Sequence, residues 1–349
     1  MSALRVGIIG AGNAAANIHL PAYARMPDEV ELVALASSDP ARGAALGARF
    51  GIERIYASAG ELFAAGGVDA VSVCVANRFH ALATLGALEA GLHVLCEKPP
   101  AMNAAEAASM EAAAARAGKV LAYGFQTRFA PEARAARALI SAGRLGRVYA
   151  GKAVALRRRG IPGWGSFGDK AIQGGGPLMD IGVHALDLAL YLMDFPKVVE
   201  ASAAAYAELG RRPGPGLMGK WDPDRYGVED SLFGFVRFEG GVSLSLETSF
   251  ALNMKERSRM NVELYGSDAG LSVFPLELYG ETEGFLTDTS LPFPGESDAH
   301  FECVRDFVRA CRTGSEPAAG ARQGTELQRL VDLLYRSAEL GRAVGPDEA

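Results

Sequence analysis

The chain opens with an apolar run, Leu4-Arg5-Val6-Gly7-Ile8-Ile9, followed by an Ala-rich stretch reaching about Met26. A short apolar run closed by glycine reads as a buried strand, and the stretch after it as a helix. The pair of patterns then returns. Residues 31–36 read as strand, 40–50 as helix, 69–75 as strand and 79–90 as helix. Residues 93–96, 104–117 and 120–123 continue as strand, helix and strand. Such alternation predicts an α/β unit, a doubly wound parallel sheet of Rossmann type with helices on both faces.

Beyond Gly124-Phe125-Gln126 the period changes, which sets the expected domain boundary at 1–125 and 126–349. A connecting helix is expected at 128–142 and a long strand at 147–158. Further strands are expected at 197–206, 230–239, 242–250, 260–265 and 271–274, some separated by turns such as Glu239-Gly240-Gly241. Helical spacing at 301–311 and 325–340 closes the chain, and the Pro- and Gly-bearing stretch 211–224 is the best mobile-loop candidate.

Composition narrows the class. The 349 residues are 49% hydrophobic and 22% charged, enough for two globular domains. A net charge of -6 argues against nucleic acid or an anionic membrane as main partner. No run reaches membrane-span length, and the N-terminus lacks a signal-peptide layout. The four cysteines show no C-x-x-C spacing, which fits a reduced, cytoplasmic protein, and no metal-ligand spacing is found.

Three motifs carry chemistry. Gly10-Ala11-Gly12-Asn13-Ala14-Ala15 is G-x-G-x-x-A between a strand and a helix. Gly10 suits the tight turn, Gly12 admits a pyrophosphate close to the backbone, and Ala15 permits close helix–strand packing. At the end of the second strand Ser37 and Ser38 stand where an NAD site would normally carry an acid, with Arg42 a helical turn on. Hydroxyls and a guanidinium suit a 2′-phosphate, so the residues lean to NADP. The alternatives are serines that cap the next helix, a solvated Arg42, and an NAD contact shifted to Asp39.

The second motif, Glu97-Lys98-Pro99-Pro100, follows a strand directly, at the end of the sheet where ligands bind. Its prolines stiffen the turn and push Lys98 to an extended backbone. The third runs from Gly174 to Asp187. Asp180 and His184 are four residues apart and Asp187 three further on, which predicts one shared helical face on an otherwise apolar helix.

With these motifs in register the chain resembles the Gfo/Idh/MocA family, which includes glucose–fructose oxidoreductase and inositol dehydrogenase. Smaller echoes are Ala76-Asn77-Arg78-Phe79-His80 and Glu89-Ala90-Gly91-Leu92-His93-Val94. The resemblance implies a second, α+β domain with an open, mostly antiparallel sheet whose exposed face makes homo-oligomer contacts. It implies Lys98, Asp180 and His184 at the catalytic site. Cofactor contacts are expected at Gly10, Ala11, Gly12, Asn13, Ala14, Ser37, Ser38, Arg42, Ala76, Asn77, His80, Glu97 and Lys98.

The expected reaction is hydride transfer between NADP, or NAD, and a secondary alcohol or ketone of a sugar, sugar alcohol or cyclitol. An imidazole titrates near neutrality, which suits His184 as acid/base, with Lys98 orienting the hydroxyl or sharing its proton. Asp180 would bond substrate hydroxyls. Arg128 and Trp164 are expected substrate contacts, and one of Arg157, Arg158 and Arg159 could face an acidic sugar. His19 reads as surface or packing, with an approach to the cofactor cleft as the alternative. Two other readings remain: an NAD-dependent glycosidase using transient oxidation, and a non-catalytic cofactor sensor.

Overall fold

The computed structural model describes residues 2–348. The chain divides into two compact units. The first comprises the residues up to Gln126 together with Asp298–Thr325, and the second Thr127–Ser297 together with the residues from Glu326 on. The stretch 298–325, expected in the second domain, therefore belongs with the first.

The first unit is built on six parallel strands: β1 (Leu4–Ile9), β2 (Val30–Ala36), β3 (Arg54–Tyr56), β4 (Ala70–Val73), β5 (His93–Cys96) and β6 (Leu121–Tyr123). Their order is β3-β2-β1-β4-β5-β6, that of a dinucleotide-binding sheet. Val6, Ile8, Leu35, Val71, Val73 and Val94 are fully buried, as expected for a sheet covered on both faces. β3 and the helix Ala59–Ala65 are additions to the expected pattern: three half-buried residues leave too short an apolar signal.

Local chemistry sets the helix ends. Asp39 and Asn103 accept from the backbone N–H of Arg42 and Glu106 and start the helices Pro40–Phe50 and Ala104–Ala117. The first helix departs from the expected uniform turn: a π turn, Ala15–His19, leads into the α-helix Leu20–Ala24.

The second unit holds an eight-stranded sheet: β7 (Val148–Arg157), β8 (Val198–Tyr206), β9 (Ser231–Phe238), β10 (Ser243–Ser249), β11 (Ser258–Gly266), β12 (Ala269–Ser272), β13 (Glu277–Thr282) and β14 (Phe285–Ser290). Its order is β14-β13-β12-β11-β7-β10-β9-β8, antiparallel except between β7 and β10. The hairpin β13–β14 was not expected, because its residues are mostly exposed and lack an apolar alternation.

One face of this sheet is buried through Ala153, Leu232, Val236, Leu244, Leu246 and Val262, and the helix Val183–Leu192 packs on β7 and β11. Phe233, Phe235, Tyr265 and Tyr279, which alternate with these buried positions, are exposed. An antiparallel sheet with one covered face shows this alternation, but large apolar side chains on the uncovered one are unusual.

Candidate active site

In the first unit the chain leaves β1 and β4 in opposite directions, and a groove of about 800 Å³ opens at their ends. Gly10, Ala11, Gly12, Ser38, Asp39 and Ala76 are among its lining residues. Gly10 has φ 100°, and a Cβ there would lie 2.5 Å from the Cys74 carbonyl oxygen, so only glycine fits the turn. At Gly12 the nearest atom to such a Cβ is 3.8 Å away, the same carbonyl oxygen, so its bare backbone leaves open space. A main-chain cradle followed by a helical segment fits a dinucleotide pyrophosphate. Asn13 is exposed and its side-chain Oδ1 accepts from Asn17 Nδ2, 2.6 Å away. Ala14 and Asn77 are half-buried.

At the end of β2 the side chains are already engaged with one another. Ser37 Oγ donates to the Asp39 carbonyl (2.9 Å) and accepts the Asp39 N–H (3.2 Å). Asp39 in turn accepts the Arg42 N–H and pairs with Arg42 Nε, each at 3.1 Å. Ser37 is therefore committed within the loop, and Arg42 presents a guanidinium already balanced by a carboxylate. Ser38 is exposed on the groove.

The Glu97-Lys98-Pro99 turn is held from several sides. Glu97 N–H donates to the Val73 carbonyl at 3.0 Å, and Lys98 N–H to Glu97 Oε2 at 3.2 Å. Glu97 Oε1 meets His19 Nε2 at 2.8 Å. His19 Nδ1 is 3.0 Å from Ser72 Oγ, which is 2.8 Å from the Tyr23 hydroxyl. Burial by itself lowers the pKa of His19, but the Cys74 sulfur and the Glu97 carboxylate outweigh it and raise it to about 10. Burial likewise pushes Glu97 up, and His19 with Lys98 pulls it down to about 2. The pair is an ion pair across the neutral range.

Two expectations change here. His80, expected at the cofactor, is fully buried, with Nδ1 2.8 Å from the Pro99 carbonyl and Nε2 3.2 Å from the Val75 carbonyl. Glu97, also expected at the cofactor, is half-buried, with Oε1 on His19 and Oε2 on the Lys98 N–H. His19 is neither surface nor general packing; it is the partner of Glu97. Its type and place on the first helix were readable, but a contact 78 residues along the chain was not.

In the second unit the helix expected from Pro177 begins as a π turn, Leu178–Gly182, and continues as the α-helix Val183–Leu192. The wider turn shifts the phase between Asp180 and the later residues, a feature frequent at functional sites. Asp180 is half-buried and lies 3.8 Å from the Arg157 guanidinium. His184 is 8% exposed. Asp187 leaves this stripe. It is fully buried and accepts from Arg128 Nε (2.7 Å) and Nη2 (2.5 Å).

Arg128, expected to touch substrate, is therefore an interior residue, 2% exposed, with Tyr191 and Phe195 rings about its guanidinium. Of the three neighbouring arginines, Arg158 and Arg159 bond the carbonyls of Lys255 and Leu252, and Arg157 is the one beside Asp180. Burial holds the Arg157 pKa below its usual value, with Asp180 pulling the other way.

Close approach explains the glycine run before this helix. A Cβ on Gly175 would lie 1.9 Å from the Tyr335 hydroxyl, and one on Gly176 2.1 Å from the Glu229 carbonyl oxygen. Glu229 also accepts the N–H groups of Gly176 (2.9 Å) and Leu178 (3.3 Å) and the Tyr335 hydroxyl (2.7 Å). Gly182 faces Thr248, whose hydroxyl donates to the Pro177 carbonyl at 3.2 Å. The glycines were the signal for these contacts; Glu229, Tyr335 and Thr248 had none.

Trp164 is 54% exposed, edge-on to Phe167, and lines a separate cavity of about 370 Å³ with Trp221. The stretch 211–224, read as a mobile loop, is tied to this cavity: Trp221 Nε1 donates to the Gly210 carbonyl, and Gly163 N–H to that of Met218. Among the described residues no group of three His, Cys, Asp or Glu side chains is arranged to hold a metal ion. No helix among them is long and apolar enough to cross a membrane.

A dinucleotide groove in one unit and, in the other, an Asp and a His at one helix start with a strand-end Arg beside the Asp define a nicotinamide-dependent oxidoreductase. Comparison gives the family. Residues 4–125 match the model of an oxidoreductase family with an NAD-binding Rossmann fold, and residues 133–272 the Gfo/Idh/MocA C-terminal domain. The chain belongs to the Gfo/Idh/MocA family.

It is 43% identical to the D-glucoside 3-dehydrogenase of Escherichia coli (strain K12), over 98% of this chain and 97% of that one. It is 34% identical to the 1,5-anhydro-D-fructose reductase of Ensifer adhaerens, over 76% and 74%. The crystal structure of aldose-aldose oxidoreductase from Caulobacter crescentus, complexed with glycerol, matches with TM-score 0.82 and 26% identity, over 98% and 99%.

Proposed function

We propose that this NAD(P)-dependent oxidoreductase oxidises a ring hydroxyl of a D-glucoside to the ketone, or runs that reaction in reverse. The observation that carries the reading is the Asp180–Arg157 pair at the π turn, with His184 at the start of the helix that follows, on a chain similar along its length to a D-glucoside 3-dehydrogenase. The nicotinamide supplies the hydride acceptor. His184 takes the hydroxyl proton, which an imidazole does near neutral pH. Lys98 orients that hydroxyl or shares its proton. Asp180 accepts hydrogen bonds from neighbouring ring hydroxyls, and Arg157 lies beside it at 3.8 Å. Trp164 offers an aromatic face for the apolar side of a sugar.

The cofactor we infer is NAD rather than NADP. Ser37 is bonded within its own loop, and the Asp39 carboxylate next to Arg42 repels a 2′-phosphate while suiting a ribose diol. We further assign the exposed aromatic face of the open sheet, including Phe233 and Phe235, to contact with a second copy of the chain. Four free thiols suit a reducing cytoplasm.

The test is oxidation of methyl D-glucoside followed at the nicotinamide absorbance, with NAD and with NADP. Activity with NAD, lowered about 100-fold or more in His184→Ala, supports the reading. Turnover of His184→Ala within a few-fold of the parent would sink the acid/base role, and tighter NADPH than NADH binding would sink the cofactor choice. Light scattering of Phe235→Glu reads the oligomer: an unchanged mass excludes the sheet face.

A further inference from the structure

We propose that His19 and His80 are positioning residues that clamp the Glu97-Lys98-Pro99 turn from two sides and so fix the direction of the Lys98 side chain. Three of the five histidines are buried, and two of those, His19 and His80, are not among the residues that line the groove. Both direct ring nitrogens at this turn and at strand β4 or the residues that follow it. His80, kept neutral by burial, has one N–H to give; Nδ1 lies 2.8 Å from the Pro99 carbonyl and Nε2 3.2 Å from the Val75 carbonyl, and the shorter contact, to Pro99, is the one it bonds. His19 joins Glu97 Oε1 to Ser72 Oγ, and Tyr23 holds that serine from the other side.

The consequence is geometric. Lys98 lies between two residues that these bonds hold, Glu97 by its side chain and Pro99 by its carbonyl. Its own N–H is held by Glu97 Oε2, a carboxylate that His19 keeps in place. A flexible four-carbon side chain loses less entropy on meeting a substrate when its backbone is already oriented. Burial of polar rings is costly unless they are bonded, so the two imidazoles add order only because each has its partners.

The role of Lys98 itself rests on the function proposed above, so the experiment separates the two. Amide hydrogen exchange over residues 93–101 is measured on the cofactor-free protein. Steady-state kinetics are measured on methyl D-glucoside with NAD. Variants are His80→Ala, His80→Asn, Lys98→Ala and His80→Ala/Lys98→Ala. An Asn amide reaches the place of Nδ1 and can still donate to the Pro99 carbonyl.

We expect exchange around Lys98 to rise about tenfold in His80→Ala and to return toward the parent in His80→Asn. We expect kcat to fall about 10- to 100-fold with the KM for NAD unchanged, and no further loss when Lys98 is already alanine. Parental exchange and kcat in folded His80→Ala would overturn the proposal. So would a His80→Ala loss that persists undiminished in the Lys98→Ala background. Raised exchange with Lys98→Ala at parental kcat upholds the clamp and removes the catalytic role of Lys98. Should His80→Ala not fold, His19→Gln replaces it, with a smaller effect in the same direction expected.

Discussion

The Lys98 turn and the Asp180–His184 helix start are both departures from regular structure, and they are held by different means. The turn is held by polar side chains: His19 on Glu97, and His80 on the Pro99 carbonyl. The helix start adds close approach to its hydrogen bonds with Glu229 and Thr248: Gly175 lies under Tyr335, Gly176 against Glu229, Gly182 against Thr248. A polar clamp yields by degrees when a partner changes its charge or donor. A steric one accepts a side chain or does not, because interiors are close-packed. The comparison teaches where a substitution will change activity smoothly and where it will change folding.

The largest effect belongs to the polar pair that supports the helix from beneath. Arg128→Met leaves the Asp187 carboxylate buried without its partner, and removing one member of such a pair costs roughly 3–5 kcal/mol. A denaturant titration should show that loss. Stability within about 1 kcal/mol of the parent would mean that Asp187 finds another partner.

Gly176→Ala comes next. A methyl 2.1 Å from the Glu229 carbonyl oxygen must displace backbone, at about 1–3 kcal/mol. Activity should fall with it, since the Gly176 carbonyl accepts the Asp180 N–H at 3.1 Å. A variant with parental stability and turnover would show that the glycine run is not a steric constraint.

The smallest effect is the most specific to the polar clamp. The folded-state pKa of His19 is raised to about 10, so its contribution is full below the ordinary imidazole value and fades as pH rises from about 6.5 to 10. Glu97 is lowered to about 2, so its contribution is full above its ordinary value and fades as pH falls from about 4.5 toward 2. The stability difference between parent and His19→Gln should therefore be greatest between about pH 4.5 and 6.5 and shrink on the alkaline side. A difference that grows from pH 6.5 to 10 would contradict the ion pair.

Much of this was legible in one dimension. The strands β1, β2 and β5 and the helices Pro40–Phe50 and Ala104–Ala117 stand within a residue of their expected places. Each is a local pattern: an apolar run, or a capped helix with glycine beyond its end. β3 and the hairpin β13–β14 escaped because short or exposed strands carry little apolar period. At the site, the glycine cradle and Lys98 were legible as motifs. The fate of Arg128, His80 and Asp187 was not.

Residue order alone carries the two-unit α/β and α+β plan, the dinucleotide loop and the presence of an Asp and a His near one helix start. These follow from spacing and from backbone requirements, which act over a few residues. Only the tertiary structure decided which polar side chains face a groove and which are spent inside. Arg128 and Asp187 are 59 residues apart, His19 and Glu97 78 apart, and Gly176 and Glu229 53 apart. A buried polar group takes the partner that packing brings to it, and that partner is set by the folded chain, not by its neighbours in sequence.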